Sequence, residues 1–352
     1  MDTTRRKFLA NLSAVGALTI SPAALMSGAH NSGPRARSNT DWFRDAKWGV
    51  FCFNTDLGES KMSALDWNRH VDAFDTRTLG EQLKSVGANY LIFCLAQNSG
   101  HFYSPNETYD SIVGIQPSKC SRRDLIHDLS EALLPHGIKL LVYLPSGAPG
   151  ADPVAVKKLQ WEWGIEGKGS LTKGGKHTGK RLAEFQRMWE SVIREWSDRW
   201  GKRVSGWWID GCYFADEMYR HPDPPNFESF ASALKAGNPS SIVAFNPGVF
   251  VDFGLREVIS LTEYEDYTAG EVARAFPVCP GRWVNGAQYH VLSFLGESWG
   301  LGEPRFADEF VTGYTKDVVS KGGVVSWDVP INKDGSIPAK FLAQLKNINN
   351  AL

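Results

Sequence analysis

The chain has few cysteines, almost no net charge and no apolar run long enough to cross a bilayer. Its five cysteines (Cys52, Cys94, Cys120, Cys212 and Cys279) are odd in number and widely spaced, with no C-x-x-C pair, which argues against a zinc site and a disulfide framework. Cys52 and Cys94 sit inside apolar runs, as small buried hydrophobes do. The 38 Lys and Arg nearly cancel the 39 Asp and Glu, so nothing suggests electrostatic capture of nucleic acid or of an anionic membrane. A G-x-G-x-x-G turn, a phosphate loop and a serine nucleophile elbow are all missing. The sequence therefore calls for no cofactor and no metal.

What is present begins with "TTRRKFLANLSAVGALTISPAALMSGAH" at residues 3–30. Arg5 and Arg6 lead a short apolar run from Leu12 to Ile20, and small residues follow near Ala24 and Ala29. This is the layout of a twin-arginine secretory signal. The run is too short and too rich in Ala, Ser and Gly for a membrane span. Residues 1–30 are thus expected to be removed, leaving 31–352 as one domain in the periplasm or outside the cell, away from the membrane.

Strand-like runs then alternate with helical ones. "WGVFCFN" (48–54), "NYLIFCLAQ" (89–97), "IKLLVYLPS" (138–146), "VSGWWID" (204–210) and "SIVAFNPG" (241–248) are apolar throughout, and "VISLTEYEDY" (258–267) reads as a later strand. Between them, residues 76–87, 122–137, 180–201 and 226–239 carry helical spacing, several with a glycine stop. Strands apolar on both faces and joined by helices predict a parallel sheet covered on both sides. The number of units predicts an α/β fold of the (β/α)8 barrel type, whose active site lies at the C-terminal strand ends. Asp210, Asn98, Ser146, Asn246 and the group Glu263 to Asp266 all fall there.

The stretch "RVSGWWIDGCYFADE" (203–217) ends an apolar strand on Asp210. An unpaired carboxylate is costly to bury. Capping a helix would explain it, but no helical period starts after Gly211, and more acidic residues follow a later strand. Two carboxylates facing one cleft suit glycosidic bond cleavage, one as nucleophile and one as proton donor. The 13 tryptophans and 12% aromatic content suit a carbohydrate cleft, since aromatic faces pack on sugar C–H faces, although most must be core.

Over nearly all of its expected mature length the chain resembles the α-L-fucosidases, family 29 of the glycoside hydrolases. "DWFRDAKWGVFCFN" (41–54) is similar to that family's opening strand. "RRDLIHDLSEALLPHGIKLLVYLPS" (122–146) is similar to its R-D-x-V…A…G-L-x-x-G-x-Y-x-S unit, and "GWWIDG" to the W-x-D-G strand end that bears its nucleophile. "VVSKGGVVSWDVPINKDGSI" (318–337) resembles its V-S-K-G-G-N-L-L-L-N-I-G-P-x-x-D-G-x-I closure. The resemblance implies a (β/α)8 catalytic barrel, with Asp210 as nucleophile of a retaining exo-glycosidase acting on an oligo- or polysaccharide. Only 15 residues follow Ile337, so the family's C-terminal β-sandwich is expected to be missing.

Departures from the family bear on the sugar. Phe53-Asn54 stands where the family has His-Trp, and "AQNSGHF" replaces K-H-H-D-G-F, putting Gln97 and Asn98 in place of two histidines that contact sugar hydroxyls. Asn54, Gln97, Asn98, His101, Trp208 and Trp283 are the candidate substrate contacts, His101 being equally compatible with a core or surface place. For the acid/base, "EDYTAGE" (265–271) resembles D-[FY]-x-T-[PA]-E and points to Glu271, while "LTEYE" (261–265) would select Glu263 or, on the same strand face, Glu265. A glycosidase for a different deoxy- or sulfated sugar, or a non-catalytic carbohydrate-binding barrel, are the alternatives.

Overall fold

The apolar runs become strands because both of their faces find partners. In the computed structural model, which describes residues 38–53, 61–161, 181–213, 215–248, 257–273 and 275–352, they form β1 (Trp48–Cys52), β2 (Tyr90–Cys94), β3 (Lys139–Pro145), β4 (Val204–Asp210) and β5 (Ile242–Phe245). A hairpin of β6 (Trp283–Val284) and β7 (Ala287–Gln288) precedes β8 (His290–Phe294), and β9 (Val324–Asp328) is the last strand. Seven of these build one parallel sheet in the order β5-β4-β3-β2-β1-β9-β8, while β6 and β7 pair antiparallel on their own. Residues 1–30, the expected signal, and Asn54 lie outside the described residues.

Helix ends follow local sequence chemistry. Asp75 caps Thr76–Val86 by accepting from Thr78 N, and Gly87 closes it in the left-handed region. Asp124 does the same at the start of Leu125–Leu133. Asn226 and Ser229 form a reciprocal capping box on Phe227–Leu234. Ala183–Trp200, the longest helix, turns Trp189, Trp196 and Trp200 inward. No helix among the described residues is long and apolar enough to cross a membrane.

The strands divide their side chains between two apolar layers. Val50, Leu91, Phe93, Leu140, Val142 and Trp207 face the helices. Phe51, Ile92, Leu141, Tyr143, Trp208 and Leu292 point to the inner side, where Phe43 of the helix Asp41–Ala46 joins them. Burying each indole of the Trp207–Trp208 pair removes about 150–250 Å² from water, worth roughly 4–6 kcal/mol at about 25 cal/mol per Å². Tyr90 lies so close over Gly49 that an added Cβ would sit 2.5 Å from its ring. All five cysteines are buried and none forms a disulfide.

The strand expected over 258–267 is not formed. Thr262–Tyr264 turns instead, and side chains replace the ladder. The Glu265 and Asp266 carboxylates accept from Phe245 N and Val243 N of β5, the donors that a neighbouring strand's carbonyls would have taken. From Asp266 the chain rises parallel to β8, held by Thr268 N to Gln288 O (3.0 Å), Leu292 N to Gly270 O (2.9 Å) and Val272 N to Leu292 O (2.8 Å). Segment 266–272 is therefore hydrogen-bonded to both edge strands of the sheet, β5 and β8. Gly270 is required there: its φ is +62°, and a Cβ would lie 1.8 Å from His290 O.

Candidate active site

Strand β4 delivers Asp210 to the C-terminal edge of the sheet, and its neighbours fix the backbone there. Ser146 N donates to Asp210 O (2.6 Å), Asn246 N to Ile209 O (2.7 Å) and Cys212 N to Asn246 O (3.0 Å). Gly211 then turns the chain away with φ +84°. No helix starts at that point, so the Asp210 carboxylate is turned to other partners. Oδ1 accepts from Gly211 N (2.8 Å) and Asn246 Nδ2 (2.8 Å), with Tyr213 Oη farther off at 3.4 Å. Oδ2 accepts from Tyr143 Oη at 2.6 Å.

Asn246 reaches a second carboxylate as well. Its Nδ2 donates to Glu271 Oε2 at 2.7 Å, while its Oδ1 accepts from Gly248 N at 3.1 Å, which fixes the orientation of the amide. Bonds of 2.8 and 2.7 Å to one nitrogen cap the separation of those two carboxylate oxygens at about 5.5 Å. Glu271 is lifted to this level because segment 266–272 climbs beside β8 and bridges Leu292. The structure thus brings Asp210 and Glu271, two residues from different elements, to the two sides of one amide.

An aromatic wall backs the pair. Tyr143 stacks on Trp208 (5.4 Å between centroids, 17° between planes) and meets Phe53 edge-on (5.3 Å, 89°). Half-buried Trp299 continues the wall against Phe51 and Phe294. Burial and the Asp210 charge hold the Tyr143 phenol well above its usual range, so it stays a donor. The Asp210 charge, helped by burial, does the same to the Tyr213 phenol. Asp328, buried at the end of β9, accepts from Phe53 N (3.0 Å) and Gly300 N (2.6 Å), anchoring two parts of this wall. Burial raises its carboxyl to about 7.

The other sequence candidates are placed less uniformly. Gln97 joins the cluster, donating from Nε2 to Tyr143 Oη at 2.7 Å. Asn98 is exposed and braces the following loop, its Oδ1 accepting from Gly150 N at 3.4 Å and its carbonyl from Ala151 N at 2.9 Å. His101 is buried with its ring 5.1 Å from that of Trp67. Trp208 is buried under Tyr143, and its indole donates to Ala269 O (3.0 Å). Trp283 stands in the hairpin ahead of β8, at the opposite end of the sheet, under the Arg282 guanidinium at 4.2 Å. Glu263 is exposed in the turn. Glu265 is buried, accepting from Leu261 N (2.6 Å) and Phe245 N (3.3 Å), so its carboxylate serves the backbone. With no strand at 258–267, Glu263 and Glu265 do not share a strand face.

Tyr143, Tyr213 and Trp299 went unnoticed in the sequence. Tyr143 is a polar-tipped side chain in the interior of an apolar strand, a signal the sequence carries. Tyr213 and Trp299 sit in loops, where periodicity carries no information. Among the described residues no group of His, Cys, Asp and Glu is arranged to hold a metal ion.

No family model and no curated sequence matches the chain. Solved structures do. An endo-fucoidan hydrolase of glycoside hydrolase family 107, MfFcnA4, superposes with TM-score 0.66 at 17% identity over 88% of this chain and 53% of its own. A second endo-fucoidan hydrolase of that family, P5AFcnA, gives 0.62 at 18% identity over 87% and 90%. The α-L-fucosidase AlfC from Lactobacillus casei, in complex with α-L-fucose, gives 0.58 at 15% identity over 88% and 96%. This chain spans about half the length of MfFcnA4. It has the α/β fold of these fucose-directed glycoside hydrolases.

Proposed function

We propose that this protein is a retaining glycoside hydrolase of α-L-fucosides or closely related L-sugar glycosides. The observation that carries the reading is the pair Asp210 and Glu271, held on one Asn246 amide with oxygens no more than about 5.5 Å apart. Carboxyl groups about 5–5.5 Å apart suit double displacement, whereas inversion needs a wider gap for water. Asp210 attacks the anomeric carbon as Glu271 gives its proton to the departing oxygen. The C–O bond to the leaving group breaks as the bond to Asp210 forms. Glu271, now a carboxylate, then takes a proton from water, whose oxygen displaces Asp210 with net retention. With 266–272 as an irregular sixth position, the sheet reads as a (β/α)8 barrel carrying this site at its C-terminal end. In this reading Arg5 and Arg6 belong to a twin-arginine export signal, and the enzyme acts in the periplasm or outside the cell.

A different deoxy- or sulfated sugar is the second reading. Its support is that Gln97, at one of the two histidine positions of the fucosidase pattern, is committed to Tyr143. Hydrolysis of a panel of aryl glycosides by the wild type and by Asp210→Ala tests both. Turnover of the α-L-fucoside that Asp210→Ala abolishes supports the first reading. Turnover of another sugar alone supports the second, and binding without turnover leaves a carbohydrate-binding barrel.

A further inference from the structure

Gln97, Tyr143 and Asp210 form a chain with a fixed direction. An amide nitrogen only donates, and a phenol has one proton. Gln97 Nε2 lies 2.7 Å from Tyr143 Oη, which must accept there, so the phenol proton is committed to Asp210 Oδ2 at 2.6 Å. The ring cannot turn, because it is buried between Trp208 and Phe53. Rotation of the hydroxyl is the remaining freedom, and Gln97 closes it. We infer that Gln97 is a positioning residue that acts through Tyr143 to keep the phenol proton in its hydrogen bond to the Asp210 carboxylate.

This inference rests on the reading of Asp210 as nucleophile. A nucleophilic carboxylate must be ionised at working pH and must still give up its charge when it attacks. No cation pairs with Asp210 among the described residues, so neutral donors carry its stabilisation: Tyr143, Asn246 and Gly211 N. Among the described residues the titratable groups around it are Tyr143 from β3, Tyr213 and Cys212 beyond β4, and Glu271 through Asn246. Cys94 of β2 lies beside Tyr143. None of these is a cation that could take over when the Tyr143 donor is lost. The opposite orientation of the Gln97 amide would present an acceptor to Tyr143 and draw its proton away. A carboxylate at position 97 makes that reversal permanent.

The experiment follows the Asp210 carboxyl directly by 13C NMR titration of aspartate-labelled protein, its resonance identified by its loss in Asp210→Asn. Gln97→Glu is expected to raise the Asp210 midpoint by about one pH unit more in the otherwise unchanged protein than with Tyr143→Phe in place, because only the first retains a proton to divert. Tyr143→Phe alone is expected to raise it too. The acid limb of kcat/KM against pH, on an aryl α-L-fucoside, is expected to move with it. An equal rise in both backgrounds would mean that the new charge acts through space, and overturns the inference, as does an unmoved midpoint in an active enzyme. If the midpoint moves as described and no glycoside is hydrolysed, the relay stands and the glycosidase reading falls.

Discussion

Asp210 and Glu271 share one donor, each accepting a different hydrogen of Asn246 Nδ2, at 2.8 and 2.7 Å. The two carboxyls come from elements with no ladder between them: Asp210 ends β4, and Glu271 ends the irregular climb beside β8. Asn246, just beyond β5, is seated between them by backbone bonds to Ile209 and Cys212. Asn246 is therefore a side chain that ties the two carboxyls together directly.

Asn246→Ala should lower kcat far more than it raises KM. It removes a charge-assisted hydrogen bond to the Asp210 carboxylate, worth about 1.5–3 kcal/mol, and a neutral one to the Glu271 carboxyl, worth about 0.5–1.5 kcal/mol. Loss of the first alone is expected to cost roughly 10- to 100-fold in rate. Steady-state kinetics beside a thermal melt checks this, and the melt should move little because the backbone contacts of residue 246 remain.

The three glutamates should separate by behaviour. Glu271→Ala is expected to slow glycosides with poor leaving groups far more than nitrophenyl glycosides, and azide should rescue the second step. Glu265→Ala should instead destabilise the fold by about 1–3 kcal/mol for each backbone donor left unsatisfied, at Leu261 and Phe245. Glu263→Ala should change neither by more than a little. Kinetics on good and poor leaving groups, with urea midpoints, distinguishes all three.

How much of this was legible beforehand follows from where the information lay. The parallel strands and capped helices could be read because Asp75, Asp124 and Gly87 sit at their ends and both strand faces are apolar. Asp210 and Glu271 were reachable through a strand terminus and a resemblance. The 258–267 segment misled because its alternation is that of a strand, while Glu265 and Asp266 use side chains to pair with β5. Trp208 and Trp283 illustrate a related limit. Composition marks tryptophans as sugar platforms, but only the fold shows that one is buried under Tyr143 and the other stands at the far end of the sheet.

Two buried groups should give stability opposite slopes with pH. Burial lowers His290 to about 4, where it bonds Thr268 O and Ser326 Oγ. The unfolded chain therefore binds its proton more readily between about 6.5 and 4, and stability falls on acidification across that window, by up to about 3 kcal/mol. Asp328 is raised to about 7, so its native form holds the proton, and stability falls instead as pH rises from about 4 through 7. Urea titrations at several pH values check both. The two windows overlap, so these contributions largely cancel in the wild type; His290→Gln should leave stability falling as pH rises from about 4 to 7, and Asp328→Asn should leave it rising from about 4 to 6.5.

Replacing Arg5 and Arg6 by lysines should stop export by the twin-arginine route, leaving the protein in the cytoplasm. Fractionation of cells expressing the two forms checks it. Normal periplasmic accumulation of the double-lysine form would remove the basis for the proposed compartment.

The covalent step is the centre of the account, and trapping tests it most directly. A 2-deoxy-2-fluoro-α-L-fucosyl donor with a good leaving group destabilises the transition states of both steps, while its leaving group restores the first, so a glycosyl-enzyme should accumulate. Peptide mass spectrometry should then find one fluorofucosyl group, on the peptide containing "GWWIDG", with fragment ions placing it on Asp210. The label should be absent from Asp210→Ala. A label on another carboxylate, or an enzyme that hydrolyses fucosides with inversion and never carries the label, would contradict the assignment of Asp210 as nucleophile.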